Sequence, residues 1–227
     1  MIAAKAVIFD LDCTLVDTLN RFFEVFNELL EKHEKNPVNW AKFFKNYIDD
    51  SLDDVVAPRG TRHREAVLHD FWLEFLWKYR EGEIKCDLIS GVKKTLEKLH
   101  RQKVPIAVIT SCIVPSVKLS KELEGHGIGK FVKTVVTAHD VLKHLEEGHH
   151  FSKAEIFRQV MKNLKTEPQD CVVVGDYWND IRDGKKAGAK TVGVLTGLMR
   201  RELLEKYKPD AVIASVRDLP KVVKFSS

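Results

Sequence analysis

The chain has 227 residues, of which 44% are hydrophobic and 31% charged, with 37 Lys and Arg against 33 Asp and Glu. These proportions exclude disordered, collagen-like and low-complexity classes, and no apolar run reaches the roughly 18 residues of a membrane span. The formal net charge of +4 has no dense basic block behind it, so a nucleic acid is not an expected partner.

A chain of this length suits one full core plus a smaller insert. Met1-Ile2-Ala3-Ala4-Lys5 does not read as a signal peptide, because Asp10 and Asp12 interrupt the only apolar run there. Cys13, Cys86, Cys112 and Cys171 form no CxxC pair and sit at no metal-ligand spacing. Reduced thiols and a cytoplasmic location are the expectation.

Residues 5–10 (Lys-Ala-Val-Ile-Phe-Asp) predict a first buried strand ending in an acid. Residues 19–85 then break the pattern. Leu19, Phe22, Phe23, Phe26, Leu29 and Leu30 recur at helical spacing, as do Trp40, Phe43, Phe44 and Tyr47 after Pro37, expected near that helix start. Val67, Leu68, Phe71, Trp72, Phe75, Leu76 and Tyr79 form a third set. The segment holds 12 of the 20 aromatic residues, enough for an apolar core of its own. A helix over 91–103 precedes a strand over 104–110 that ends in Thr110. Ser152 with Glu155 predicts a capping box opening a helix over 152–164. A strand over 171–176 ends in Asp176, a helix follows over 178–187 and stops at Gly188, and shorter strands lie at 190–195 and 211–214. Strand–helix alternation argues for an α/β doubly wound, Rossmann-like parallel sheet. The expected division is a core of residues 1–18 and 86–227 with an all-helical insert over 19–85.

Ligands of such sheets bind beyond the carboxyl ends of the strands. Those ends carry Asp10, Thr110 and Asp176, and the next residues add Asp12, Thr14, Ser111 and Asp180. Converging carboxylates repel one another unless a divalent cation joins them. All-oxygen ligation by few carboxylates suits Mg²⁺, which also binds phosphate oxygens. A strand-end Asp is also able to act as a nucleophile, with a second Asp nearby as general acid and base.

These residues carry a family resemblance. Asp10-Leu11-Asp12-Cys13-Thr14-Leu15 resembles the DxDxT first motif of the haloacid dehalogenase superfamily. Val108-Ile109-Thr110 resembles its second motif, and Gly175-Asp176-Tyr177-Trp178-Asn179-Asp180 its fourth, GDxxxD. Lys153 is the best match for the third-motif lysine, with Lys143 the other candidate. The helical insert matches the family's C1 cap, and the tail from Gly188-Ala189 to Ile213 resembles the phosphoglycolate phosphatase-like branch. The resemblance implies Asp10 as the phosphate-accepting nucleophile, and Asp12 as acid/base and backbone-carbonyl metal ligand. It implies Thr110, Ser111 and Lys153 around the phosphoryl oxygens, and Asp176 and Asp180 at the Mg²⁺. Cys13 stands where the family usually has Gly, a departure that bears on the turn after Asp12.

The second Asp of DxD points to a phosphate ester, because dehalogenases and phosphonatases of the family lack it. The expected function is a Mg²⁺-dependent phosphatase acting through an aspartyl phosphate on small phosphorylated metabolites, phosphoglycolate-like or sugar phosphates, as a monomer or homodimer. A β-phosphoglucomutase-type phosphomutase is the rival enzyme, but that branch carries a His early in its first cap helix, where this chain has Asn20-Arg21-Phe22-Phe23. A non-catalytic binding module of the same fold is the rival from another class. His139, His144, His149 and His150 fit no compact zinc spacing and read as solvated. Arg59, Arg62 and Arg64 read as a solvated helix start, Asp183 as a surface helix residue, and Tyr177 and Trp178 as packing either on the sheet or on the insert.

Overall fold

The run over 5–10 forms β2 (Ala6–Asp10), and a short strand not foreseen in the sequence, β1 (Ile2–Ala4), precedes it across exposed Lys5. β3 (Ile106–Thr110), β4 (Thr134–Thr137), β5 (Cys171–Gly175), β6 (Lys190–Val194) and β7 (Ala211–Ile213) join β2 in one parallel sheet of order β4-β3-β2-β5-β6-β7. β8 (Val223–Phe225) pairs with β1 in a separate parallel ribbon. This computed structural model describes residues 1–82, 84–144 and 152–226, with the backbone alone at Leu142, Lys143 and His144. The expected α/β doubly wound sheet is therefore present. β4 was not legible in the sequence: Thr134-Val135-Val136-Thr137 is only four residues long, two of them hydroxylated.

β2, β3 and β5 are buried along their whole length, as strands covered on both faces must be. Val7 and Phe9 of β2 pack with Val92, Leu96 and Leu99 of α5 (Val92–Arg101) and with Leu119 and Leu123 of α6 (Ser116–Gly125). Ala6 and Ile8 pack with Ile156, Phe157 and Val160 of α7 (Ala154–Leu164). Each fully buried side chain such as Phe9 contributes about 1.5–3 kcal/mol against exposure. α8 (Trp178–Lys186), α9 (Arg201–Glu205) and α10 (Leu219–Val222) complete the layers. The strand order reverses at β2, which places a cleft beyond the carboxyl ends of β2, β3 and β5.

Between β2 and α5 lie four helices, α1 (Leu19–Lys32), α2 (Trp40–Ile48), α3 (Leu52–Val56) and α4 (Arg64–Lys78). They share a separate apolar cluster around Phe26, Phe43 and Phe71, which Cys112 and Val114 join from the loop after β3. The chain enters and leaves this helical insert through two linkers clasped together. Asp17 N donates to Asp87 O at 2.8 Å, Ile89 N donates to Leu15 O at 2.9 Å, and Val16 bridges Leu88 in antiparallel fashion.

Two helix starts differ from expectation. α2 begins at Trp40 with Asn39 as its cap, the Asn39 side chain accepting from Lys42 N at 2.9 Å, so Pro37 lies before the helix. The Ser152–Glu155 box does not form. Ser152 Oγ accepts from Ala154 N at 3.2 Å and Glu155 pairs with Arg158 at 3.0 Å. The Lys153 N–H goes to a buried carboxylate of α8, Asp183 Oδ2, at 2.8 Å, and this tertiary contact takes over the job of the box.

Candidate active site

Asp10 ends β2, Thr110 ends β3, and Asp176 follows β5 directly, so the sheet brings all three to one edge. Asp180 comes from the first turn of α8, where its Oδ2 accepts from Tyr177 N at 3.1 Å. Lys153 caps α7 and reaches across to this group. Its Nζ donates to Asp10 Oδ1 at 2.7 Å and to Asp180 Oδ1 at 2.6 Å, with all three residues buried. Asp176 Oδ1 accepts from the Thr14 hydroxyl at 2.8 Å. Carboxylate oxygens of Asp10, Asp176 and Asp180 lie within 4.8 Å of one another, and these are the side chains able to hold a metal ion.

Charge in this cluster is unbalanced: three buried carboxylates face one ammonium. Burial pushes the Asp10 carboxyl well above its ordinary range, with Lys153 opposing and Asp180 and Asp176 adding to the rise. Burial and then the Asp180 charge push Asp176 up to about 7. Lys153 is held above the usual lysine range, because its carboxylate partners outweigh its own burial.

Asp12 faces another way. Its Oδ1 pairs with the Arg80 guanidinium, and its Oδ2 accepts from Thr110 Oγ1 at 3.0 Å. Burial alone would raise this carboxyl, but Arg80 and the Thr110 hydrogen bond hold it below the usual carboxylate range. Arg80 also donates to Glu122 at 2.6 Å. The side chain of Asp12 is thus outside the three-carboxylate cluster. Ser111 Oγ is buried at the cavity without a protein hydrogen-bond partner, whereas Thr110 Oγ1 donates to Asp12 and accepts from Cys112 N at 3.1 Å.

Local backbone explains several of these placements. Cys13 takes the left-handed conformation that a Gly would favour, with φ +56, and its N–H donates to Val16 O at 2.8 Å. The tight turn after Asp12 therefore survives the Cys. At Gly197 a Cβ would stand 1.8 Å from Asp176 Oδ2, and at Gly175 one would stand 2.3 Å from Asp180 Oδ2. Only glycine lets backbone approach the acids this closely.

A cavity of about 540 Å³ opens above the cluster, bounded by the sheet edge below and by Phe22, Tyr47, Trp72 and Tyr79 of the insert above. Tyr177 and Trp178 divide the two packings expected of them. The Tyr177 hydroxyl donates to Asp50 of the insert, while Trp178 stacks on Tyr207 at 5.2 Å between ring centres.

Some sequence readings need correction or completion. Asp183 is not a surface residue. It is fully buried and accepts from Lys153 N and from Arg182 Nε and Nη2. Arg59, Arg62 and Arg64 do not line the cavity, and Arg64 instead binds Ala57 O at 2.8 Å. His139 lies 4.0 Å from Asp140. The side chains of Lys143 and His144, and the whole of His149 and His150, lie outside the described residues. Arg80 and Asp183 were missed as site-linked residues. A contact between Arg80 and Asp12 spans 68 positions and leaves no local pattern.

The family model for haloacid dehalogenase-like hydrolases matches residues 7–194. A pyrophosphatase PpaX of Oceanobacillus iheyensis is 24% identical over 226 residues, covering 96% of each chain. A solved structure from Clostridium acetobutylicum, described as a predicted phosphatase, superimposes with TM-score 0.74 at 19% identity over 96% of this chain and 97% of that one. One from Haemophilus somnus, described as a predicted phosphoglycolate phosphatase, gives TM-score 0.67 at 22% identity over 96% and 97%. Family match, curated relatives and fold agree with the buried Asp–Lys cluster at the strand ends: the chain belongs to the haloacid dehalogenase-like hydrolases and is an enzyme of their phosphatase type.

Proposed function

We propose that the enzyme is a Mg²⁺-dependent phosphatase of small phosphorylated metabolites that works through a phosphoryl group on Asp10. The observation that carries this reading is the Asp10–Lys153–Asp180 arrangement beside Asp176, a buried set in which three carboxylates share a single ammonium. Hard carboxylate oxygens at this spacing fit Mg²⁺, which tolerates few protein ligands and keeps waters. Asp10, Asp176 and Asp180 would hold it, with the backbone carbonyl of Asp12 as a further ligand. When bound, the ion supplies neutralisation of phosphoryl charge.

In this reading Asp10 attacks phosphorus while Lys153, Ser111 and Thr110 hold the transferring oxygens. To serve as acid, Asp12 must leave Arg80 and take up a proton from solvent; it then gives that proton to the departing oxygen and takes one back from the water that attacks the aspartyl phosphate. Most of the work is positioning and charge stabilisation, as expected for phosphoryl transfer. The helical insert, residues 19–85, closes the site from water and supplies contacts to the rest of the substrate. The first helix of the insert carries Asn20-Arg21-Phe22-Phe23 where the mutase branch would carry a histidine, which favours net hydrolysis over a mutase. The four cysteines are free thiols, which fits a cytoplasmic setting.

The test is metal removal. EDTA should abolish phosphate release from p-nitrophenyl phosphate and Mg²⁺ should restore it, with Ca²⁺ restoring little, because Ca²⁺ prefers more ligands at longer distance. Full turnover after exhaustive chelation would overturn the metal assignment. A milder perturbation is Gly197→Ala. The new methyl group displaces the Asp176 carboxylate, so the Mg²⁺ concentration for half-maximal rate should rise by about tenfold or more while the circular dichroism spectrum stays unchanged. An unchanged metal requirement would mean that Asp176 is not a ligand.

A further inference from the structure

One helix grips Lys153 at both ends. The ammonium donates to Asp180 Oδ1 at 2.6 Å, and the backbone N–H donates to Asp183 Oδ2 at 2.8 Å. Asp180 and Asp183 lie one turn apart on the same face of α8, and both are fully buried. Arg182 holds the second acid as a fork, with Nε on Oδ1 at 2.7 Å and Nη2 on Oδ2 at 2.9 Å, and Lys186 Nζ stands 4.0 Å from Oδ1. Such bidentate pairing sets the plane of a carboxylate as well as its distance. α8 is itself seated closely on the sheet: a Cβ at Gly184 would stand 2.8 Å from Thr191 Cγ2 of β6.

We infer that Asp183 is a positioning residue of the reaction, which fixes the root of Lys153 so that the ammonium meets the transferring phosphoryl group already aimed. The inference rests on the phosphatase reading above, in which Lys153 holds phosphoryl oxygens. It adds a residue that does not line the cavity. A lysine carries its charge on a flexible four-carbon stem. At the tip, the bonds to Asp10 and Asp180 are ones that phosphoryl oxygens must partly replace, so the hold there loosens as the substrate reacts. The root stays on Asp183 throughout, because its N–H faces α8 and not the cavity. Without Asp183 this N–H has no acceptor close by in its own segment: Ser152 Oγ is taken up by Ala154 N and Glu155 by Arg158. A charge donor acts best when preorganised, and a displacement of about 1 Å costs on the order of 10²-fold in rate.

The experiment measures kcat and KM for p-nitrophenyl phosphate at saturating Mg²⁺ in Asp183→Leu and Asp183→Asn, each made alone and together with Lys153→Met. Both replacements keep the branched shape of Asp, and Asn alone keeps an oxygen for the Lys153 N–H. Asp183→Leu should lower kcat by about tenfold with KM changed less than about threefold, because a misplaced donor is felt more in the transition state than in the bound substrate. Asp183→Asn should stay within about threefold of the unaltered enzyme, since the acceptor is retained. Beside Lys153→Met, Asp183→Leu should cost less than about twofold more, because a residue that acts through Lys153 has nothing left to act on. A merely structural role would lower both backgrounds alike. Arg182→Met, at a partly exposed position, leaves the buried acid in place and serves if Asp183→Leu does not fold. It should lower kcat by about threefold alone and leave it unchanged beside Lys153→Met, as coupled residues require. Equal losses in the two backgrounds, a kcat unaltered in every single variant at position 182 or 183, or an Asp183→Asn as slow as Asp183→Leu would overturn the inference and leave the phosphatase reading standing. Absence of phosphate release from the unaltered enzyme would remove both.

Discussion

Asp10→Asn is expected to release no phosphate from any substrate and to carry no covalent phosphate after acid quench. The amide is a poor nucleophile, and the position has no neighbouring carboxylate free to replace it, since Asp176 and Asp180 are fixed by Thr14, Tyr177 and Lys153. Asp12→Asn should behave differently, because Asp12 sits apart on Arg80 and Thr110. An alkyl phosphate leaves as a basic alkoxide and needs a proton, so its first step should slow by roughly 10²–10⁴-fold. An aryl phosphate needs that proton less. With p-nitrophenyl phosphate the Asp12→Asn enzyme should give a burst of phenolate and then stall, since Asn cannot draw a proton from the attacking water. Intact-mass measurement after rapid quench should find one phosphate on this variant and none on Asp10→Asn. Wild-type turnover of an alkyl phosphate by Asp12→Asn would sink the acid/base role, and an adduct mapped elsewhere would sink the nucleophile.

Lys153→Met should lower kcat by about 10²-fold or more, in line with the loss of one preorganised charge donor at a transferring phosphoryl group. The structural cost is also real. Asp10 and Asp180 both lose their ammonium partner in a buried setting, and breaking a buried ion pair from one side costs about 3–5 kcal/mol. Thermal melting should therefore show a clear drop without metal and a smaller one with saturating Mg²⁺, which supplies a replacement positive charge. Lys143→Met is the comparison and should turn over close to wild type. If the two variants exchanged behaviours, the phosphoryl-holding lysine would be Lys143.

The sheet and the clustering of acids at its edge were legible in the sequence because their signals are local. Buried parallel strands leave continuous apolar runs, and Asp10, Thr110 and Asp176 each end one of them. The two-residue offset from Asp10 to Asp12 and the four-residue offset from Asp176 to Asp180 are likewise readable along a single turn. Lys153 was readable only as one of two lysines. What selects it is the hold of Asp183 on its backbone N–H, an interaction across 30 positions. Asp183 itself resembles any acid on a helix until the packing of α8 against α7 is known. The cavity wall was not legible at all. Helical periodicity marks Phe22, Trp72 and Phe75 as apolar, but which of these rings look inward depends on how four helices sit over the sheet.

The clasped linkers have a consequence for how the chain folds. β2 pairs with β3 across a separation of about 100 residues, as in Val7 with Ile106. Closing so long a loop is slow and entropically unfavourable for a central strand pair. The helical insert has its own apolar cluster, and its two ends meet where Val16 bridges Leu88. Once those helices have condensed, the loop that remains to be closed is little over a quarter as long, and its entropic cost falls by about 1 kcal/mol. The bridge between the insert's two ends thus has a bearing on the sheet as well: an insert that condenses first would deliver β3 to the side of β2.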